Sequence, residues 1–318
     1  MSRIYEALQK AESERKPERR DEESRIPESP PVVELRSQPA TVAEAEYEPA
    51  PEPMVGAVST DSTFLGYGGN ALDLSRIVRR PWVPSLAQLP ALLERGPAVE
   101  QFRSLRSRIH ELRDLNPLKS ILVSSGMPQE GKSFISANLA LSLARHKNSK
   151  VLLIDGDMRR YSLHQMLGCE SHPGLADYLA GKASPVEVMQ RAEQSAEADG
   201  AAKPLLPNLT FIAGGNGGDK AADLSGSQRF GELIKLASPH FDWIVIDSSP
   251  VLPVSDAVNL ARSCDGVLLV ARGGVTKFPV AQRAQSELKA SNVLGFVLNA
   301  VHDAPQAGSY YGYEASKQ

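Results

Sequence analysis

The segment from Gly126 to Ser133 constrains the fold more than any other part of the chain. It reads Gly-Met-Pro-Gln-Glu-Gly-Lys-Ser, matching G-x4-G-K-[S/T], and lies between an apolar run at 120–123 and a helical pattern at 132–145. In such a loop, backbone N–H groups and the helix N-terminus hold phosphate oxygens. Lys132 is expected to reach the β- and γ-phosphates, and the Ser133 hydroxyl to bind Mg²⁺. Because this motif works between a strand and a helix, it favours an α/β fold.

Short apolar runs alternate with helical patterns from Gly96 onward, as in a parallel sheet covered by helices on both faces. The predicted strands are 120–123, 151–154, 209–212, 243–246, 266–271 and 294–301. The predicted helices are 99–112, 132–145, 174–179, 227–236, 255–263 and 277–290. The expected fold class is therefore a doubly wound, mostly parallel α/β sheet with ligands at the carboxyl ends of its strands.

The N-terminal part has a different composition. Residues 1–15 carry a narrow apolar stripe, which fits either a short amphipathic docking helix or a frayed terminus. Glu, Pro, Ser and Arg dominate up to about residue 57, and residues 58–95 are ambiguous. We place a disordered linker over 16–80, a P-loop domain over 81–302 and a flexible tail over 303–318.

Charge, cysteines and hydropathy exclude several classes of protein. A net charge of −3 gives no reason to expect nucleic acid as a partner. The two cysteines, Cys169 and Cys264, are far apart, which argues against a disulfide framework or a zinc site. The chain has no apolar window of about 18 residues and no signal-peptide pattern, so we expect a cytoplasmic protein.

Two strands end in carboxylates. Asp155 and Asp157 follow the strand at 151–154, and Asp247 follows 243–246 in a Walker B pattern. Carboxylates at that edge of the sheet can bind hydrated Mg²⁺ and accept a proton from an attacking hydroxyl. A surface turn is the alternative interpretation of the first pair.

Taken together, these segments resemble the bacterial tyrosine kinases of capsule and exopolysaccharide export systems, over roughly residues 96–318. The segments that carry the resemblance are SSGMPQEGKS, LLIDGDMRR, SLHQMLG, PGLADYLAG, FDWIVIDSSPVLPVSDA, DGVLLVARGGVT, VLNAV and the tail SYYGYE. The start, MSRIYEALQKAE, is similar to a subgroup that stands alone in the cytoplasm. The resemblance implies the deviant-Walker (MinD/ParA-like) group of P-loop NTPases and an ATP-dependent protein-tyrosine autokinase, with ATP and Mg²⁺ as cofactors.

The resemblance also implies roles for individual residues. Asp155 is the candidate base toward a tyrosine hydroxyl, while Ser133, Asp157 and Asp247 organise the metal. Lys132 acts with these three aspartates in catalysis. The residues expected to contact the nucleotide are Gly126, Met127, Pro128, Gln129, Glu130, Gly131, Lys132, Ser133, Phe134 and, at the adenine, Asn299.

Assembly and partners follow from the same resemblance. Glu100, Arg103 and Arg106 have the spacing E-x2-R-x2-R of the family's ring-assembly motif, and helical spacing keeps them near one face. A solvated charged face is the alternative. The tail tyrosines Tyr310, Tyr311 and Tyr313 are the expected phosphoacceptors, modified in trans within an oligomeric ring; a sticky, disordered tail is the alternative.

A membrane-embedded polysaccharide co-polymerase (chain-length determinant) is the implied activator. We therefore expect the protein to be peripheral at the inner membrane face, in contact with the membrane only through that partner.

Three residues depart from the family pattern: Gln129 replaces a glycine, Tyr161 a proline, and Ser249 the first proline after Asp247. They bear on turnover more than on nucleotide binding. Two other functions stay open at this stage. A MinD/ParA-like positioning ATPase would need a lysine where Met127 stands, because that charge supports γ-phosphate hydrolysis. A nucleotide-binding regulator would have weak kinase activity or none.

Overall fold

The computed structural model describes residues 72–146, 148–193, 206 and 208–301. Its strands are β1 (Val78–Arg80), β2 (Ser120–Ser125), β3 (Val151–Asp155), β4 (Met189–Ala192), β5 (Leu209–Ile212), β6 (Trp243–Asp247), β7 (Gly266–Arg272) and β8 (Val293–Asn299). Its α-helices are α1 (Pro97–Leu115), α2 (Lys132–Ala144), α3 (Leu163–Leu167), α4 (Leu175–Leu179), α5 (Ala221–Ser225), α6 (Gln228–Ala237), α7 (Asp256–Ala261) and α8 (Phe278–Glu287).

The eight strands form one sheet in the order β1-β4-β5-β3-β6-β2-β7-β8. All neighbouring pairs run parallel except β4 and β5, which are antiparallel. β2, which leads into the phosphate loop, lies between β6 and β7. The carboxyl ends of β3 and β6 are in register, with Asp155 opposite Asp247. The prediction of a doubly wound, mostly parallel α/β sheet is confirmed.

Two buried clusters lie on opposite faces of this sheet. On β3, Leu152 belongs to the cluster that includes α6 and α7, whereas its neighbour Leu153 belongs to the cluster that includes α2. Successive side chains of a strand point to opposite faces, so a strand buried on both faces needs a continuous apolar run. Phe102 and Ile109 of α1 belong to this second cluster, so α1 packs against the same face of the sheet as α2.

The six predicted strands are all present, but β1 and β4 were missed. β1 is at the edge of the sheet, where Val78 and Arg79 are exposed and Arg80 half-buried, and β4 has half-buried Arg191 and Ala192. Such short, partly exposed strands carry no apolar run that a sequence pattern could detect.

The predicted linker is wrong in its last residues. Leu72 and Ile77 are buried in the core, and β1 pairs with β4, so residues 72–80 belong to the α/β domain. The proposed docking helix at 1–15, the rest of the linker and the tail at 303–318 lie outside the described residues. Within the part of the chain that is described, no helix has the length and apolar character to span a membrane.

Candidate active site

The phosphate loop joins β2 to α2 and contains two residues with a positive φ angle. Gly131, directly before α2, has φ +94°, and a β-carbon there would lie 2.0 Å from Asn299 Nδ2. Gln129 has φ +65°, a conformation that glycine adopts without strain and other residues rarely adopt. The departure of Gln129 from the family's glycine therefore leaves a strained backbone inside the loop.

A buried carboxylate holds the loop in shape. Glu130 is 4% exposed. Its side chain accepts hydrogen bonds from the Met127 N–H, at 2.8 Å, and from the Thr276 hydroxyl in the turn after β7. The Glu130 carbonyl accepts a third hydrogen bond, from Asn299 Nδ2 at 3.0 Å. The loop is thereby attached to the carboxyl ends of β7 and β8.

Lys132 lies among the carboxylates beneath the loop. Its Nζ is 2.9 Å from Asp157 Oδ2, with the two side chains 13% and 4% exposed, and it also donates to the Ser133 hydroxyl at 3.3 Å. Burial disfavours the ammonium, but Asp247 and Asp157 outweigh that effect, so the pKa of Lys132 is raised. Lys132 is therefore a charged group next to the site where phosphate oxygens would bind.

Asp155 is completely buried at the end of β3. Its Oδ2 accepts hydrogen bonds from the Ser162 and Leu163 N–H groups, at 3.0 and 3.1 Å. Its Oδ1 accepts one hydrogen bond, from the Asp157 N–H at 3.2 Å. Burial, and then the nearby Asp247, raise the pKa of Asp155 well above its usual value.

Asp247 is also fully buried, and its two oxygens differ. Oδ1 accepts a hydrogen bond from the Ser136 hydroxyl at 3.0 Å, whereas no hydrogen bond of normal geometry reaches Oδ2. Burial raises the pKa of Asp247, although Lys132 and the nearby Ser133 hydroxyl oppose the rise. An unpartnered buried carboxylate oxygen is unusual and fits a group that binds the water shell of Mg²⁺.

The described residues include no group of three or more His, Cys, Asp or Glu side chains that could hold a metal by themselves. Mg²⁺ in phosphate-transfer sites keeps several waters and is held by one or two protein ligands plus the phosphates. Ser133, Asp157 and Asp247 fit that smaller set of ligands.

A cavity of about 310 Å³ lies beside the loop, between residues 127–130 and the turn after β7. Met127 is 44% exposed there, and Arg272 donates to the Gln129 carbonyl at 3.5 Å. Phe134, predicted to contact the nucleotide, packs against Phe102 of α1 with ring centroids 5.7 Å apart. Asn299, predicted to contact the adenine, lies beside the loop, where its Nδ2 donates to the Glu130 carbonyl.

The sequence patterns missed Thr276 and Ser136 as site residues. Ser136 lies one helical turn after Lys132, a spacing that could have placed its hydroxyl near the strand ends. Thr276 belongs to the segment DGVLLVARGGVT, but only the folded structure shows that it meets Glu130.

The other two departures lie near the same edge. The Tyr161 ring is 5.3 Å from the His164 ring and 6.2 Å from the His172 ring, centroid to centroid. Ser249 is 1% exposed and its hydroxyl has no partner. Neither residue replaces Lys132 or one of the three aspartates.

The proposed assembly motif lies on α1, away from the phosphate loop. Arg103 pairs with Glu100, and Arg106 donates to the Ser142 carbonyl of α2 at 2.7 Å. The tail tyrosines Tyr310, Tyr311 and Tyr313 lie outside the described residues.

Comparison with known proteins identifies relatives of this chain. Tyrosine-protein kinase Wzc of Salmonella typhimurium is 34% identical over 220 residues, which are 68% of this chain and 28% of that protein. Tyrosine-protein kinase Ptk of Acinetobacter johnsonii is 32% identical over 64% of this chain and 26% of its own length. The chain thus spans about a quarter of these curated relatives. No family model matches the sequence.

Solved structures point to the same family. The kinase domain of the Escherichia coli tyrosine kinase Etk is 30% identical, with a TM-score of 0.62, over 74% of this chain and 87% of that domain. The BceF tyrosine kinase domain is 26% identical, with a TM-score of 0.56, over 70% of this chain and 90% of that domain. From the loop, the paired carboxylates and these similarities, the chain belongs to the bacterial tyrosine kinase family.

Proposed function

We propose that this protein is an ATP-dependent protein-tyrosine kinase that phosphorylates Tyr310, Tyr311 and Tyr313 in the tail of another copy. The observation that supports this best is the ion pair between Lys132 and Asp157, formed directly beneath the phosphate loop. It brings the loop's cation and the carboxylates of two strands into one buried cluster, as phosphoryl transfer requires.

The chain's own residues would bind and orient the reactants. When bound, ATP supplies the phosphoryl group to be transferred, and Mg²⁺ neutralises part of the phosphate charge. The N–H groups of the loop and the N-terminus of α2 hold phosphate oxygens. Lys132 would donate to the phosphates, and Ser133, Asp157 and the free Oδ2 of Asp247 would hold the metal ion and its waters.

Asp155 is proposed as the base that receives the tyrosine proton, at Oδ1. That oxygen accepts a single N–H, whereas Oδ2 accepts two, so Oδ1 keeps a lone pair for the incoming proton. The raised pKa of Asp155 makes it a stronger base than an exposed aspartate. The N–H groups of Ser162 and Leu163 keep the carboxylate in position during the transfer.

The activity is tested by incubating purified protein with ATP and Mg²⁺ and measuring phosphotyrosine. We expect the Lys132→Met variant, and a variant with all three tail tyrosines changed to phenylalanine, to lose the signal. Lys289→Met makes the same chemical change on an exposed residue outside the site, and should retain it. No phosphotyrosine in the unmodified protein, even with a partner's cytoplasmic segment present, would favour a nucleotide-binding regulator.

The proposal extends to exopolysaccharide or capsule polymerisation and export. In it, a membrane polysaccharide co-polymerase activates the kinase and holds it at the inner membrane face. Cycling between an unphosphorylated ring and phosphorylated, separate subunits then couples ATP use to export, because each phosphate adds about −1.5 to −2 charges to the tail. Recovery of the protein in membranes from cells that lack every such partner would contradict this part of the proposal.

The rival function of a positioning ATPase has less support. Met127 occupies the place of the lysine that such ATPases extend across their dimer, and its exposed thioether carries no charge. A Met127→Lys variant tests this argument. A gain of ATP hydrolysis without phosphotyrosine in that variant would show that a loop with this lysine transfers phosphate to water.

A further inference from the structure

A second basic site lies on the other side of α2, between that helix and α1. Three arginines, Arg103, Arg106 and Arg145, line one cavity of about 220 Å³ together with Val99, Phe102 and Ser142. A water molecule occupies about 30 Å³ in the liquid, so the cavity has room for an ion of several heavy atoms.

The residues that the structure describes do not balance the charges in this cavity. Glu100 pairs with Arg103, but Arg106 and Arg145 have no carboxylate partner among the residues that the structure describes. Their acceptors are backbone carbonyls: Ser142 for Arg106, and Ala91 and Leu93 for Arg145. The carboxyl end of α2 contributes roughly half a negative charge. About one and a half positive charges therefore remain uncompensated.

The same contacts fix the guanidinium groups in place. Arg106 and Arg145 each use Nη1 for the carbonyls, which leaves their other N–H groups to donate to a ligand. The pKa of Arg106 is lowered by burial and by the neighbouring Arg103 and Arg145, as expected for cations that lack an anion between them. Guanidinium groups held in this way lose little freedom when they bind an oxyanion.

We propose that Arg103, Arg106 and Arg145 form a binding site for a phosphate monoester dianion. Such a group carries about −1.5 to −2 charges at pH 7, which matches the uncompensated charge, whereas a carboxylate would neutralise only about one. Several arginines around one phosphate are the usual arrangement for recognising it. The phosphate is that of phosphotyrosine in a second copy, which rests on the proposed function, or free phosphate in solution. Because Arg103 and Arg106 also belong to the proposed assembly motif, a phosphate bound there would replace contacts that hold the ring, in agreement with separate phosphorylated subunits.

The test uses the full chain and two probes. One is a fluorescent synthetic peptide with the sequence of residues 305–318 and phosphotyrosine at Tyr311; the other is inorganic phosphate, added as competitor. Binding is measured by anisotropy for the unmodified protein and for Arg103→Gln and Arg145→Gln, with folding checked by circular dichroism. Arg108→Gln is the matched control, because Arg108 is on the same helix and pairs with Glu111 in an exposed i, i+3 pair.

We expect each cavity variant to bind the phosphopeptide about tenfold more weakly or worse, and Arg108→Gln to bind it nearly as the unmodified protein does. Binding should persist in Lys132→Met, which separates this cavity from the phosphate loop and does not require kinase activity. Competition by inorganic phosphate at equal affinity would support the site and identify free phosphate as its ligand. Weaker competition would identify phosphotyrosine.

Two results would overturn the proposal. One is equal binding of the phosphorylated and unphosphorylated peptides with no competition by inorganic phosphate, since the cavity would then recognise carboxylates or backbone. The other is an equal effect of Arg108→Gln and Arg145→Gln, which would indicate attraction by general charge rather than by the cavity.

Discussion

Gln129 makes the phosphate loop strained, and its replacement by glycine should stabilise the protein. The residue is exposed and has φ +65°. A left-handed conformation costs a residue with a β-carbon roughly 1–2 kcal/mol. Glycine avoids that cost but loses about 0.5–1 kcal/mol more in chain entropy on folding. The net gain for Gln129→Gly is therefore about 0.5–1 kcal/mol.

The comparison that isolates this effect is Gln129→Gly against Gln129→Ala. Both remove the side chain, but alanine keeps the β-carbon and its strain. We expect the glycine variant to melt about 1–4 °C above the alanine variant, since 1 kcal/mol shifts the Tm of a domain of this size by about 2–4 °C. Differential scanning calorimetry measures the shift. Equal Tm values for the two variants would refute the assignment of strain to this backbone.

Three further predictions concern the contacts around the loop. Thr276→Val should lower the free energy of unfolding in urea by about 1–3 kcal/mol, because the buried Glu130 carboxylate loses a hydrogen-bond donor. Thr276→Ser keeps the hydroxyl and should change that free energy little. Equal losses of unfolding free energy in the two variants would contradict the hydrogen bond. Gly131→Ala should greatly weaken nucleotide binding in calorimetric titration, because its β-carbon would collide with Asn299; unchanged affinity would contradict the loop geometry. Asp247→Asn should remove kinase activity yet stabilise the nucleotide-free protein at pH 7, because it removes a buried negative charge while its amide oxygen can still accept the Ser136 hydrogen bond. The pKa of Asp247 is higher in the folded than in the unfolded protein, so the unmodified protein gains stability as the pH falls through the folded-state pKa. The difference in unfolding free energy between Asp247→Asn and the unmodified protein should therefore be smaller at pH 4 than at pH 7.

The central part of the fold follows from sequence because its strands are buried on both faces. Trp243–Asp247, for example, is four apolar residues and a carboxylate, and the structure places it in the middle of the sheet. Asp155 and Asp247 could be expected to meet because the carboxyl ends of parallel strands share one edge. The edge strands Val78–Arg80 and Met189–Ala192 could not be predicted, since partial exposure removes the apolar run.

The contacts that shape the site depend on residues distant in sequence. Thr276 and Glu130 are 146 positions apart, so no local pattern connects them. Arg145 joins Arg106 in one cavity only because α1 packs across α2, where the Phe102 ring contacts the Phe134 ring. Motif spacing located Glu100, Arg103 and Arg106, but it could not show that the cavity has an excess of positive charge.

The positive φ of Gln129 is a further feature that the residue type conceals. A glycine at position 129 would have indicated a backbone with positive φ, whereas a glutamine gives no such indication. The tight phosphate loop, and not the local preference of the residue, determines this backbone conformation.

The most direct test of the proposed kinase is transfer between two chains that are each incapable of self-labelling. The Lys132→Met protein retains its tail tyrosines, and the variant with phenylalanine at 310, 311 and 313 retains the site. They are mixed in equal amounts with ATP and Mg²⁺ and analysed by intact mass and peptide mapping. We expect phosphate on Tyr310, Tyr311 and Tyr313 of the Lys132→Met chain alone. A mixture without phosphotyrosine, although the unmodified protein labels itself, would contradict phosphorylation in trans. No labelling of either sample, even with the partner's cytoplasmic segment present, would contradict the kinase itself.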